Sequence, residues 1–411
     1  MKLLLVAQNY HPFVGGVETH ARQVAHALGK EHEVAVAALN FSANRLPPRV
    51  AMLHASVLAP RYASHDDGAV PVHSLTPGWG ARLRMLPIAA RVLPGLPRLA
   101  GYFRLESLGY RAFRAAYLPR LRRLMAGVGV VHSLAGNYLG WTAQEAAQER
   151  GLPFVCTPFV HPHQWGDGPN DVAYYRRADA VIALVETDRS YLVEIGVPAE
   201  KIHVIGVSPE LPNRTDAEGF RRKHRLGDAP LVLYVGRMMP QKGARAVLEA
   251  ATLVWRRQPD ARFVFIGPQT PDAEAWFRDA DRRVLVLGRV DLQEKADALA
   301  ACDVFCMPSL SEILPTVYLE AWSLGRPVVG GLAHGLPELV EGNDAGVCAS
   351  QDPAAVAGAL LRLLEDDDLR RRLGENGRRL VEREYSVGAV TASLLVVYQS
   401  VASRQLEGAS A

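Results

Sequence analysis

"CDVFCMPSLSEILPTVYLEAWSLGRPVV", residues 302–329, decides the fold. Val304 to Met307 form a short apolar run that stops at Pro308. A polar loop follows, Pro315 suits the first turn of a helix, and "RPVV" opens another apolar run. Strand, loop, helix, strand with short connections is the building unit of a parallel sheet covered by helices. Upstream, "APLVLYVGR", "ARFVFIGP" and "RRVLVLGRV" repeat this pattern, each run ending in Gly, Pro or a polar residue. "KLLLVA", "HEVAVAAL", "GVGVVHSL", "PFVCTPF" and "ADAVIALV" form an earlier series of the same kind. Their continuous apolar character fits strands covered on both faces.

Between the two series, "VSPELPNRTD" interrupts the pattern with Pro, Ser, Asn and Asp. The expected fold class is therefore α/β, with two facing doubly wound Rossmann-like domains and a cleft between them. One domain covers residues 1–206 and the other 207–387. A final helix over 388–405, with Val390, Leu394, Val397 and Val401 on one face, is expected to return to the first domain. A chain of 411 residues suits two such domains.

Composition narrows the class. With 46 basic and 43 acidic residues the net charge is +3, which gives no reason to expect a nucleic-acid partner. Cys156, Cys302, Cys306 and Cys348 are few and scattered, so no disulfide framework is expected. Cys302 and Cys306 lack partner ligands at metal-binding spacing and read as core. No signal-peptide pattern opens the chain, and no run approaches the roughly 20 apolar residues of a spanning helix. The expected compartment is the cytoplasm.

Ligands of open parallel sheets bind beyond the carboxyl ends of the strands, and the chemistry-bearing residues follow strands here. A dinucleotide loop would need G-x-G-x-x-G. The chain instead offers "QNYHPFVGGVE" after the first strand and "RMMPQKG" after "LVLYVG", and it has no Walker lysine motif. "GRMMPQKG" places Arg237 at a strand end and Lys242 at the mouth of a helix, a pair suited to a diphosphate gaining charge as it leaves. Only six of the 46 basic residues are lysines, so Lys242 is not the chain's default basic choice. Glu312 lies in the loop and Glu320 about one helical turn inside the helix, so the two address different parts of one ligand. Beyond Pro315, which has no amide hydrogen, the amides of Thr316 and Val317 provide a second seat for an anion. "DAD" at 279–281 imitates a metal-binding D-x-D but lies in the polar stretch "WFRDADRR" and reads as a solvated turn.

Gly15-Gly16 with Glu18, "GRMMPQKG", the E-x7-E spacing of Glu312 and Glu320, and "GRPVV" followed by "GLPELVEG" occur in that order. Together they resemble the retaining glycosyltransferases of family 4, which have the GT-B fold. The resemblance spans most of the chain. It implies a nucleotide-sugar donor, with Glu312 on the donor sugar, Glu320 on the ribose, and Arg237 and Lys242 on the diphosphate. It further implies that Gly15 and Gly16 form a glycine loop near the reaction centre and that backbone at Val290 meets the base. In "TPFVHPHQWG" it points to a histidine beside the transferred sugar. His161 is nearer the strand end and is preferred, with His163 as the other candidate, facing the acceptor. Where the family usually has Phe-Gly this chain has Leu314-Pro315, and its later Gly-Gly is His334-Gly335. No cofactor or metal is implied, since the cations take a metal's place in easing departure of the nucleoside diphosphate.

Between Ala81 and Met125, Arg82, Arg84, Arg91 and seven further arginines face a single acidic residue, Glu106. This basic amphipathic stretch is the expected seat of a lipid-linked acceptor, resting peripherally on an anionic membrane. The acceptor itself is a glycan, a lipid-linked sugar or a small molecule. A nucleotide-sugar epimerase, a phosphorylase, or a non-catalytic sugar-nucleotide-binding subunit are the alternative readings.

Overall fold

The computed structural model describes residues 1–13, 15–40, 63–75, 78–84, 102–134 and 136–410. The chain divides into two compact units. One comprises Met1–Ala183, Tyr191–Val204 and Thr391–Ala411, and the other Leu184–Ser190 and Ile205–Val390.

The first unit is built on eight strands: β1 (Lys2–Ala7), β2 (Glu33–Ala38), β3 (His65–Asp67), β4 (Val70–Ser74), β5 (Val130–Ser133), β6 (Phe154–Cys156), β7 (Ala180–Ala183) and β8 (Ile202–Val204). Their order is β3-β4-β2-β1-β5-β6-β7-β8, with β3 antiparallel to β4 and the other pairs parallel. After Lys2, every residue of β1 is buried, which is why its sequence is apolar throughout.

The edge hairpin β3–β4 is stapled to the helix Gly16–Leu28. Asp67 accepts from Arg22 Nε (2.8 Å) and Nη2 (2.9 Å), from the Tyr10 hydroxyl (3.2 Å), and pairs with His26 Nε2 (2.8 Å). Burial pushes this carboxyl up, but the hydrogen bonds from Arg22 and His26 and their charges outweigh it. They hold Asp67 well below the usual carboxylate range.

The final helix, Val387–Ser410, buries Val390, Leu394, Val397, Tyr398 and Val401, the face expected from the sequence plus one tyrosine. Tyr398 Oη lies 2.6 Å from His132 Nδ1, and His132 Nε2 lies 2.8 Å from Thr157 Oγ1. Burial lowers His132 to about 3, so a neutral imidazole anchors this helix to β5. The helical run Asp367–Gln405 is long and apolar enough, by length and composition, to cross a membrane. That corrects the expectation that no such run exists. Extended backbone at Ser386 interrupts the run, and its apolar face is the one just described as buried.

The second unit carries β9 (Leu231–Val235), β10 (Arg262–Ile266), β11 (Val284–Gly288), β12 (Val304–Met307), β13 (Val328–Gly330) and β14 (Gly346–Cys348). All pairs are parallel, in the order β11-β10-β9-β12-β13-β14. The order reverses between β9 and β12, which makes the crevice beyond their carboxyl ends the place where such a sheet takes a ligand. Cys302, at the end of the helix Leu292–Ala301, and Cys306, in β12, are buried free thiols, as their apolar setting suggested.

Candidate functional site

The loops leaving β9 and β12 interlock. Pro240–Lys242 form one 3-10 turn, and Gly243 follows in the left-handed region at φ 81°. A side chain at Gly243 would put its Cβ 2.7 Å from the Pro308 oxygen, so both backbone conformation and space require glycine there. Leu310 N donates to Gln241 O (2.8 Å), Ser309 Oγ to the same oxygen (3.2 Å), and Gln351 Nε2 to Pro308 O (2.8 Å). These bonds fix one loop upon the other.

Each glutamate of the E-x7-E pair is held by a lysine. Lys242 forms an ion pair with Glu312 and also donates to Ser311 O at 2.7 Å. Lys295, on the helix Leu292–Ala301, donates to Glu320 Oε1 at 2.7 Å. The two settings differ in exposure. The Lys242 and Glu312 side chains are 16% and 19% exposed, whereas Glu320 is 5% exposed. Burial raises Glu320 above the usual carboxylate value. Lys295 opposes the rise, as does a hydrogen bond from the Glu210 backbone, while the charge of Glu210 adds to it.

The helix Thr316–Ser323 begins one position later than the sequence suggests. Pro315, expected in its first turn, is the extended cap at φ −72° and ψ 112°. Thr316 and Val317 are the first helical residues, and their amides have no carbonyl one turn back within the helix. Leu314 is buried, packed against Gly206. Arg237 is exposed, and its carbonyl accepts from the Tyr234 hydroxyl at 2.9 Å, which fixes the strand end that bears it. Val290 lies two residues past the end of β11, just before Asp291 caps the next helix through Glu294 N. "DAD" resolves as a turn, with Asp281 spending both oxygens on Arg283.

In the first unit, Gly15 caps the helix after β1. At Gly16 nothing lies within 4 Å of where a Cβ would stand. His161 and His163 share one turn. The His161 amide donates to Trp165 O at 3.1 Å, and its ring centroid lies 4.6 Å from that of Trp165. His163 has φ 60°, an amide bonded to Asp167 Oδ2 at 2.7 Å, and its ring edge-on to Tyr191.

The arginine-rich stretch departs from expectation. Arg82 is 6% exposed, with its guanidinium 5.4 Å from the Trp79 ring centroid, so it does not face outward. Arg114 pairs with Glu145 and Arg122 with Glu149, both on the neighbouring helical segment. Phe113, Tyr117 and Leu121 enter the core of this unit, so the apolar stripe is spent on the protein's own interior. The Arg84 side chain and all of Arg91 lie outside the described residues.

Comparison with known proteins agrees with this geometry. Residues 15–208 match the "Glycosyl transferase 4-like domain" model, and residues 216–380 match "Glycosyl transferases group 1". The chain belongs to the group 1 glycosyltransferases. It is 30% identical over 237 residues to the alpha-D-kanosaminyltransferase of Streptomyces kanamyceticus, a match covering 55% of this chain and 61% of that one. It is 32% identical over 207 residues to the phosphatidyl-myo-inositol mannosyltransferase of Mycobacterium tuberculosis, covering 47% and 54%. The matches to these curated relatives thus span only half to three fifths of their length. The crystal structure of Anabaena Alr3699/HepE in complex with UDP superposes with a TM-score of 0.71 at 17% identity, covering 97% of this chain and 100% of that one. The fold is GT-B.

Within this glycosyltransferase family, the chain's departures have local explanations. Leu314 replaces an aromatic residue and fills space beside Gly206, and Pro315 caps the helix. At His334-Gly335 the glycine is the part the backbone needs. Its φ is 84°, and a Cβ would fall 2.4 Å from Thr187 Oγ1, while His334 is exposed. Lys295, the partner of Glu320, was not singled out in the sequence. It was visible only as one of six lysines, because its partner is 25 positions away on the next helix.

Proposed function

We propose that this chain transfers a sugar, with retention at the anomeric carbon, from a nucleotide-sugar donor to a glycan or lipid-linked acceptor. The observation that carries the reading is the pair of lysine-held glutamates set around the β9–β12 switch point, next to the amides of a helix start. In this reading Glu312 receives hydroxyls of the donor sugar and Glu320 receives those of the ribose. Arg237, Lys242 and the amides of Thr316 and Val317 stabilise the diphosphate as the bond to the anomeric carbon breaks. The open space at Gly16 leaves room for the sugar, and His161 lies in the acceptor-side loop. A nucleotide-sugar donor agrees with the UDP complex of the structural neighbour. A lipid acceptor agrees with the phosphatidyl-myo-inositol in one relative's name, and an amino sugar as the transferred group agrees with the kanosaminyl in another's.

The test has two steps. Thermal stabilisation against UDP-, GDP-, ADP- and dTDP-sugars, with chelator present, identifies the base, since a ligand that binds only the native state raises the melting temperature. Nucleoside diphosphate release is then followed with and without candidate acceptors. Release that requires an acceptor, with the product anomer matching the donor, supports transfer. Conversion of the donor sugar to an isomer without acceptor would instead establish an epimerase, and dependence on inorganic phosphate a phosphorylase.

A further inference from the structure

We propose that the second unit carries a non-catalytic glycan site, a pocket between the helix Ala244–Val254 and the turn before β11 that takes an uncharged pyranose ring. The inference rests on the family, whose members handle sugars, and not on the donor residues assigned above.

The pocket has a volume of about 630 Å³, within the range of small-molecule sites. It lies at the other end of the sheet from the ligand crevice. Val284, the first residue of the edge strand β11, borders it, whereas the crevice lies beyond the carboxyl ends of the strands. A strand of five residues sets the two levels roughly 15 Å apart.

Aromatic surface is the first observation. The chain has six tryptophans, and two of them, Trp255 and Trp276, line this one pocket, both half-buried. Trp255 is held without any ligand. Its Nε1 donates to Ala261 O at 2.8 Å, its ring stands edge-on to Phe263, and the Arg283 guanidinium lies 3.8 Å from its ring centroid. Arg283 in turn donates through Nε and Nη2 to Asp281 and through Nη1 to Pro259 O at 2.9 Å. Trp276 ends the helix Pro271–Trp276, and the next residue, Phe277, packs edge-on against Phe265 with centroids 4.9 Å apart. The pocket is therefore pre-organised, which lowers the cost of binding.

Charge is the second observation. Of the charged side chains in the lining, Glu249 is paired with Arg245 and Asp281 with Arg283. That leaves Asp279 and Arg256, one of each sign, neither with an ion pair or side-chain hydrogen bond among the described residues. A ligand of either charge finds no net attraction here. An apolar ligand would strip both groups of water and replace none of their hydrogen bonds. A neutral pyranose meets both demands, laying its C–H face on an indole while its hydroxyls donate to Asp279 and accept from Arg256. A glycan held here, away from its reacting end, is kept at raised effective concentration near the crevice.

The experiment measures binding of methyl α-D-glucopyranoside, methyl α-D-mannopyranoside, maltotriose and mannotriose by saturation-transfer NMR and titration calorimetry. Glucuronate, uridine and adenosine serve as the charged and base-bearing comparisons. Wild type and Glu312→Gln should bind the neutral sugars equally, because the donor crevice takes no part. Trp276→Ala should weaken that binding by about tenfold, the scale of one stacked aromatic contact. Asp279→Asn should weaken it by a similar factor, the scale of a hydrogen bond to a charged group. Asp279 is exposed, so this second variant carries the test if Trp276→Ala fails to fold.

Absence of binding by all four sugars would overturn the proposal. So would binding that survives both variants, or that is lost in Glu312→Gln, since the sugar would then sit elsewhere. A Trp276-dependent preference for uridine or adenosine would replace the glycan with a base, and a preference for glucuronate would refute the uncharged class.

Discussion

Asp67 in the first unit and Glu320 in the second are both buried carboxylates, yet their surroundings are opposite. Asp67 receives four donors from Tyr10, Arg22 and His26, and its charged form is held far below the ordinary range. Glu320 has one ammonium on Oε1 and a hydrogen bond from the Glu210 backbone, and its carboxyl is pushed upward by burial. A saturated carboxylate has no capacity left for a ligand and works as a staple between an edge hairpin and a helix. A carboxylate with fewer donors keeps capacity to accept from a further group. Burial alone does not separate structural from functional acids, whereas the count of donors does.

The sharpest way to break this comparison is to neutralise each acid in turn. Glu320→Gln should weaken nucleotide-sugar binding by about a hundredfold, the scale of two hydrogen bonds to a charged acceptor. Its unliganded stability should change by no more than about 1 kcal/mol, because Lys295 does not fully offset the burial of this carboxylate. Calorimetric titration and chemical denaturation of the same preparation read both quantities. Asp67→Asn should do the reverse. It should cost about 2 kcal/mol of stability, a figure discounted because Arg22 is partly exposed, and leave donor affinity untouched. If Asp67→Asn weakens the donor, or Glu320→Gln unfolds the chain, then counting donors fails as a guide to function here.

The sequence announced one of these two acids and hid the other, for reasons that apply across the molecule. Central parallel strands such as β1 and β9 are covered on both faces, so their runs are apolar and easily read. The hairpin β3–β4 lies in "HDDGAVPVHS", where charge, glycine and proline conceal the strands, and what secures it is Asp67 reaching a helix 41 to 45 positions earlier. The strand β14 is only three residues long. In the site, Arg237, Lys242, Glu312 and Glu320 were legible because they follow strands in two short stretches. Lys295 was not, since the register of one helix against the next decides its partner. The arginine-rich stretch misled because its charge bias drew attention away from Phe113, Tyr117 and Leu121, whose helical spacing marks a core face.

The smallest effect is also the one in which the two acids should move in opposite directions. Asp67 has a folded value below its ordinary 3.8, so its ionisation contributes stability that is complete above 3.8 and is lost as pH falls through that value toward the folded one. Glu320 has a folded value above its ordinary 4.5, so between 4.5 and that value the native state binds more protons than the unfolded chain. Stability then rises as pH falls across this window, by about 1.4 kcal/mol for each unit of displacement. Denaturation midpoints of wild type, Asp67→Asn and Glu320→Gln from neutral to acid pH separate the two terms. The gap between wild type and Asp67→Asn should close below 3.8. The gap between wild type and Glu320→Gln should shift in favour of wild type on descending toward 4.5, because protonation relieves a buried charge that the glutamine never carries. If both gaps instead closed together at the lowest pH, Glu320 would be a second fully satisfied carboxylate, with no capacity left to accept from a ligand.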